Sequence, residues 1–188
     1  MRIIDFFTES IRIKIQMQKK GKHIVFIGMS GSGKSTLGRE LSTSLNLSFL
    51  DTDSEIEKRR GLSIVEIFEK EGEELFRAYE LELINEVAMK PRCVIAVGGG
   101  LPCSDRANEA LHGLGTVIFL SASLELLCQR LENVTDLRPL YQGLNVEQVK
   151  QKTEVLLMQR MEYYQKADIT IDANDSIDDK INKVLKVV

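Results

Sequence analysis

The segment Phe26–Thr36 reads FIGMSGSGKST, and within it Gly28–Ser35 fits the pattern G-x-x-x-x-G-K-S/T completely. Its glycines, Gly28, Gly31 and Gly33, allow backbone conformations with positive φ that point successive N–H groups inward. A helix expected directly after the loop would add the positive end of its dipole. A glycine-rich turn without a ligand is the alternative, but the complete motif rarely arises by chance. We therefore expect this phosphate loop (Gly28–Ser35) to bind a nucleoside triphosphate.

Each polar side chain of the phosphate loop has an expected task. The Lys34 ammonium would reach the β- and γ-phosphates, and the Ser35 hydroxyl would ligate Mg²⁺. Asp51, in the segment FLDTD, could hold the same Mg²⁺ directly or through water. The residues predicted to bind the nucleotide at the loop are Gly31, Ser32, Gly33, Lys34, Ser35 and Thr36.

Short apolar runs alternate with helical segments along the chain. Five runs predict strands, namely His23–Gly28, Ser48–Asp51, Cys93–Val97, Gly115–Leu120 and Asp168–Ile171. Helices predicted between them include Lys34–Asn46, Gly72–Met89 and Val146–Lys166. This alternation predicts an α/β fold whose parallel sheet is covered by helices on both faces. Ligands of such folds bind at the carboxyl ends of the strands.

The composition predicts a globular, cytoplasmic protein. The chain has 188 residues, 43% of them hydrophobic and 28% charged, and its net charge is −3. That charge argues against non-specific nucleic-acid binding, which needs a broad basic surface. The three cysteines, Cys93, Cys103 and Cys128, lack metal or redox spacing, so a reducing compartment is expected. No apolar run reaches the length of a membrane span.

Three parts of the chain are distinguished by their patterns. Met1–Lys20 alternates apolar and charged residues without the apolar core of a signal peptide, so we interpret it as an N-terminal extension of unknown role. Met17, just before the first strand, could be the true start. Residues 21–188 are predicted to form a single domain. Within it Asn133–Asn145 is polar and contains proline and glycine, which predicts a mobile loop.

Several polar residues after the predicted strands have two interpretations each. Asp53 could accept a proton from an acceptor hydroxyl, or it could be the N-cap of the next helix. Arg77 could bind an anion, or it could form a surface ion-pair ladder with Glu73 and Glu80. Gly98–Gly100 could let a ligand bond the backbone, or it could form a flexible turn.

Two further arginines also have two possible interpretations each when the sequence alone is considered. Arg138, in the presumed mobile loop, could swing over the phosphates or could be a solvated loop cation. Arg160 could bind an anion, although an arginine on a long helix is usually a solvated surface residue.

Six motifs occur in one order and with matching spacing from about residue 23 to the chain end. They are GMSGSGKST, FLDTD, the FR-x-x-E of Phe76–Glu80, VGGG, the LRPL of Leu137–Leu140 and the R-x-x-x-Y of Arg160–Tyr164. Together they resemble the shikimate kinase family. The resemblance implies a three-layer P-loop fold of the nucleoside-monophosphate-kinase type. It also implies five parallel strands in the order 2-3-1-4-5 and a mobile lid at about residues 133–145.

The same resemblance implies a reaction and its residues. The reaction is transfer of the γ-phosphoryl group of ATP to the 3-hydroxyl of shikimate, with Mg²⁺ as cofactor, in the route to chorismate and the aromatic amino acids. Shikimate would be held by Asp53, Arg77, Gly98, Gly99, Gly100 and Arg160. Arg138 would be the lid arginine, and Arg130 would lie against the adenine. The catalytic residues would be Asp53, Lys34 and Arg138, in a protein expected to be a monomer.

Other functions remain open on the sequence. A kinase of the same fold could phosphorylate another small hydroxylated metabolite, such as gluconate. A nucleoside-monophosphate kinase is less favoured, because we find no second nucleobase site. A regulator could bind the nucleotide without transferring phosphate, although Lys34, Asp53 and Arg138 are all present.

Overall fold

A five-stranded parallel sheet forms the centre of the molecule. The computed structural model describes residues 23–132 and 139–188. The strands are β1 (His23–Ile27), β2 (Ser48–Asp51), β3 (Cys93–Ala96), β4 (Gly115–Ser121) and β5 (Ile169–Asp172). Their order across the sheet is β2-β3-β1-β4-β5, which confirms the predicted fold class and strand order.

Helices connect the strands. They are α1 (Lys34–Leu45), α2 (Thr52–Arg60), α3 (Ile64–Lys70), α4 (Glu73–Val87), α5 (Asp105–Leu114), α6 (Leu124–Leu131), α7 (Val146–Tyr164) and α8 (Ile177–Leu185). Many start at side-chain N-caps, because the first N–H groups of a helix need acceptors from outside it. Ser63 and Glu66 form a capping box at the start of α3.

The central strand β1 divides the core into two halves. Val25 and Ile27 point to one face, where they belong to the same apolar cluster as Phe76 of α4. Ile24 and Phe26 point to the other face, in a cluster with Leu37 of α1 and other residues. These four side chains are fully buried. Because side chains alternate along a strand, β1 presents apolar residues to both faces of the sheet. Helices pack on both faces and bury them.

Register across the sheet brings three connections to one edge. Asp51 of β2 pairs with Ala96 of β3, and Ala96 in turn pairs with Phe26 of β1. The phosphate loop after β1, the FLDTD segment at the end of β2 and the glycines after β3 therefore leave the sheet side by side. This arrangement fits the expectation that ligands bind at the carboxyl ends of the strands.

Residues 139–145 of the segment predicted to be a mobile loop are described, and they include a short helix. Pro139–Tyr141 forms a 3₁₀ helix, and the Tyr141 ring is buried in a cluster with Leu131 and Val149. The tyrosine supplies apolar surface that packs against α6 and α7, and the mobility predicted for this segment stays a prediction. Residues 133–138, which include Arg138, and the extension Met1–Lys20 lie outside the described residues.

Within residues 23–132 and 139–188, no helix combines the length and the apolar character that a membrane crossing requires.

Candidate active site

The phosphate loop leaves β1 and continues into α1. Gly28, Gly31 and Gly33 have φ angles of 140°, 84° and 100°, as predicted for a loop that turns its N–H groups inward. Gly33 is the N-cap of α1, and no side chain in the described part of the chain caps this helix. Its first N–H groups can therefore bind an anion at the positive end of the helix dipole.

Two cationic side chains lie on this loop. Lys34 Nζ donates hydrogen bonds to the carbonyl oxygens of Gly28 and Met29 at 2.9 and 2.8 Å. Arg130 of α6 donates from Nη1 to two further loop carbonyls at 3.0 and 2.9 Å. Positive charge is thus concentrated where the sequence predicts the phosphates of ATP. The contact of Arg130 with adenine stays a prediction.

Ser35 and Asp51 meet beside the loop. Ser35 Oγ donates to Asp51 Oδ2 at 2.5 Å. One hydroxyl and one carboxylate fit Mg²⁺, because this ion keeps several waters and takes further oxygens from substrate phosphates. A larger cage is not found, since residues 23–132 and 139–188 hold no group of three or more His, Cys, Asp or Glu side chains suited to a metal.

The N-cap of α2 is Asp51 rather than Asp53. Asp51 Oδ1 accepts from the backbone N–H of Ser54 at 3.3 Å, and Asp53 lies inside the first turn of the helix. The capping interpretation of Asp53 is therefore wrong. Since Asp51 caps α2, the Asp53 carboxyl can point into the pocket, where its Oδ1 lies beside Gly98.

The glycines after β3 form a wall of that pocket. A Cβ on Gly98 would lie 2.6 Å from Asp53 Oδ1 and 2.6 Å from Glu80 Oε1, so only glycine fits between the two carboxyl groups. The Gly98 N–H donates to Thr52 Oγ1 at 3.0 Å, which fastens this segment to α2. We call the space lined by Asp53, Arg77, Glu80, Gly98–Gly100 and Arg160 the acceptor pocket.

Arg77 takes part both in the predicted ion-pair ladder and in the acceptor pocket. Its Nη1 donates to Glu80 at 2.6 Å and its Nη2 to Glu73 at 2.7 Å. The same guanidinium packs directly on Gly100. Glu80 is fully buried, so this pair differs from the exposed ladder that the spacing alone suggested.

The environment of Glu80 changes its proton affinity. Burial raises the pKa of the Glu80 carboxyl to about 7, since a charged carboxylate is poorly solvated there. The adjacent Arg77 guanidinium opposes this rise in pKa, whereas the negative charges of Asp53 and Glu73 add to it. A carboxyl with a perturbed pKa in a cleft is typical of functional sites.

Arg160 reaches the pocket from α7. It is 8% exposed, and its Nη1 lies 3.2 Å from the position that a Cβ on Gly99 would take. The solvated-surface interpretation of Arg160 was therefore wrong. One turn later Tyr164 donates its hydroxyl proton to the Gly99 carbonyl at 2.6 Å, a contact that joins α7 to the glycine segment.

The phosphate loop and the acceptor pocket open into one cavity of about 970 Å³. Its lining includes Gly31, Ser32, Gly33, Lys34, Ser35, Thr36, Asp51, Asp53, Arg77, Gly98, Gly99, Gly100, Arg130 and Arg160. The structure therefore brings together every predicted site residue except Arg138, which lies outside the described residues. The size suits a nucleotide and a small second ligand.

The cavity lining also contains residues that the sequence patterns did not single out, three of which lie on α1 and α8. These three are Arg39 of α1 and Ile177 and Lys180 of α8. Ile177 is a large apolar residue at the start of a helix that follows the carboxyl end of β5. That position could have indicated a place in the ligand site.

Similarity to known proteins identifies the family. The family model described as shikimate kinase matches residues 30–188. The chain belongs to the shikimate kinase family. A shikimate kinase of Chlorobium chlorochromatii is 40% identical over 163 residues, covering 84% of this chain and 85% of the relative. The structure of shikimate kinase from Acinetobacter baumannii in complex with shikimate is 37% identical, with a TM-score of 0.81. It covers 92% of this chain and 95% of that chain.

A gluconokinase shares the fold of this shikimate kinase family. The structure of the gluconokinase from Sinorhizobium meliloti has a TM-score of 0.55 at 16% identity, over 88% of this chain and 90% of that chain. At this identity the likeness describes the architecture and says nothing about the acceptor.

Proposed function

We propose that this chain transfers the γ-phosphoryl group of ATP to the 3-hydroxyl of shikimate. The observation that carries the proposal is the cavity that joins the phosphate loop to the acceptor pocket, where the Asp53 carboxylate lies with two arginines from different helices. Shikimate has one carboxylate and three hydroxyls, which match two guanidinium groups, a carboxylate acceptor and backbone N–H donors.

At the phosphate end the residues provide fixed charge. Lys34 would exchange its contacts with loop carbonyls for contacts with the β- and γ-phosphates. Ser35 and Asp51 would hold Mg²⁺, whose charge offsets that of the phosphates when it is bound. Arg138 is proposed as the lid arginine that neutralises the transferring group.

At the acceptor end the residues provide position. Arg77 and Arg160 would bind the shikimate carboxylate, and the N–H groups of Gly98–Gly100 would donate to the ligand. Asp53 would align the 3-hydroxyl for in-line attack and accept its proton late in the reaction. The transition state of phosphoryl transfer is loose, so most of the rate comes from alignment and fixed charge rather than from a strong base.

A panel of acceptors tests the proposed reaction. Purified protein with ATP and Mg²⁺ should release ADP readily with shikimate, and much more slowly with gluconate or a nucleoside monophosphate. A coupled assay of ADP release measures each rate. Faster turnover with another acceptor would replace shikimate as the substrate, and no turnover with any acceptor would favour a nucleotide-binding regulator.

Arg77→Ala is expected to weaken shikimate binding about tenfold to a hundredfold, because a hydrogen bond to a charged group contributes about 1.5–3 kcal/mol. The ATP affinity should change little, since Arg77 lies at the acceptor end of the cavity. Calorimetric titration with each substrate measures both effects. Arg59→Ala is the matched control, because Arg59 forms exposed ion pairs with Glu55 and Glu86. Loss of ATP affinity with unchanged shikimate affinity would contradict the assignment.

Three expectations remain predictions. The monomeric state, the cytoplasmic location and the mobility of a lid at about residues 133–145 were inferred from sequence patterns and from family resemblance. Gel filtration of the purified chain measures the first of them directly.

A further inference from the structure

Glu80 is a buried carboxyl with one satisfied and one unsatisfied oxygen. Its Oε2 accepts from Arg77 Nη1 at 2.6 Å. Its Oε1 is buried and has no hydrogen-bond partner among residues 23–132 and 139–188. A buried carboxylate oxygen without a donor is costly, so this atom is a site where a proton is favourably bound.

The unsatisfied oxygen faces Asp53. Glu80 Oε1 and Asp53 Oδ1 each lie 2.6 Å from the same point above Gly98, which makes the two oxygens neighbours. Two carboxyl groups confined in this way disfavour double ionisation, because like charges at short range repel strongly.

The groups around Glu80 come from four elements. They are Asp53 of α2, Glu73 and Arg77 of α4, Cys103 after β3 and Arg160 of α7. Of the two arginines, Arg77 makes the short contact with Glu80. Arg77 therefore provides most of the electrostatic stabilisation of an ionised Glu80. The same arginine is the proposed partner of the shikimate carboxylate.

We propose that Glu80 takes up a proton when shikimate binds, so that the acceptor pocket binds the substrate anion and a proton together. This inference rests on the proposed function, which places the carboxylate of shikimate on Arg77. Binding shares the charge of Arg77 between two carboxylates and brings a further negative charge near Glu80. Both changes favour the neutral acid. The proton comes from the solvent, binds to Oε1 and can be donated in a hydrogen bond to the Asp53 carboxylate.

The sign of the pH dependence follows from the raised pKa of Glu80, about 7 in the empty pocket. Well below pH 7 Glu80 is already protonated, so shikimate binding takes up almost no proton. Above it Glu80 is ionised in the empty pocket and must be protonated on binding. The shikimate Kd should then rise with pH, by at most about tenfold per pH unit, until the bound form also ionises.

Calorimetry of the full chain tests this linkage. Shikimate is titrated at about pH 6 and about pH 8 in buffers that differ in ionisation enthalpy, and the dependence of the heat on the buffer counts the protons. We expect almost no uptake at the lower pH and an uptake approaching one proton at the higher pH. Glu80→Gln should abolish the uptake. Glu73→Gln should retain it, because Glu73 contacts the same guanidinium from a side chain that is 54% exposed.

Each outcome of the titration decides a different claim. Shikimate binding without proton uptake in the wild-type chain overturns the inference and leaves the proposed function standing. Equal uptake in Glu80→Gln also overturns it, since another group then binds the proton. Absence of shikimate binding together with absence of ADP release counts against the proposed function itself.

If Glu80→Gln does not fold, NMR of wild-type protein with labelled glutamate carboxyls must show Glu80 becoming protonated on shikimate addition at about pH 8.

Discussion

Lys34→Ala is expected to lower kcat at least about a hundredfold, the usual effect of removing one fixed group that stabilises charge in the transition state. Lys34 is 8% exposed and lies at the start of α1, where its ammonium is held by the carbonyls of Gly28 and Met29. Alanine removes the only charge that the sequence places inside the phosphate loop. A coupled assay of ADP release at saturating substrates measures the loss.

Two measurements separate a lost phosphate contact from a lost fold. Circular dichroism of Lys34→Ala should match the wild-type spectrum, and shikimate should still bind in calorimetry, because the acceptor pocket is built from other elements. Lys70→Ala is the control, since Lys70 is an exposed residue of α3 paired with Glu66. Wild-type turnover in Lys34→Ala would refute the phosphate role of this residue.

Asp53→Asn is expected to lower kcat about a hundredfold to ten-thousandfold, the usual range for a positioned general base. The amide has nearly the shape of the carboxyl and keeps its place beside Gly98, but it cannot accept the proton of the 3-hydroxyl. The shikimate KM should change much less than kcat, because the carboxylate acts in the transition state. Steady-state kinetics with shikimate as the varied substrate measures both constants.

A neighbouring carboxyl provides the comparison for Asp53→Asn. Glu55→Gln lies on the same helix, where Glu55 pairs with Arg59 at the surface, and it should keep wild-type kinetics. An unchanged kcat in Asp53→Asn would remove Asp53 from the chemistry and leave it with a binding role at most. A large rise in KM with unchanged kcat would lead to the same conclusion.

Local patterns predicted much of the fold. The strands are short apolar runs, and the capping box of α3 depends on Ser63 and Glu66, three positions apart. The phosphate loop follows from the positions of its glycines and from the strand and helix that flank it. Local patterns do not predict the order of the strands, because the pairing of β2 with β3 joins distant parts of the chain. Strand order came from family resemblance rather than from any local pattern.

The candidate site was predictable in its residues but not in their surroundings. Arg160 looked like a solvated helix residue and is buried against Gly99 instead. The sequence allows Asp53 as the N-cap of α2, but Asp51 is the N-cap in the structure. Burial and hydrogen-bond partners depend on which elements pack together. The spacing of residues along the sequence carries little information about such contacts.

The sequence by itself determined the phosphate loop, the alternation of strands and helices, and the identity of the ionisable groups. These features depend on backbone conformation and on hydrogen bonds between residues close in the chain. Only the tertiary structure decided that Glu80 is buried with one oxygen on Arg77 and the other beside Asp53. Its proton affinity depends on desolvation and on charges from α2 and α4, which become neighbours only when the chain folds around the sheet.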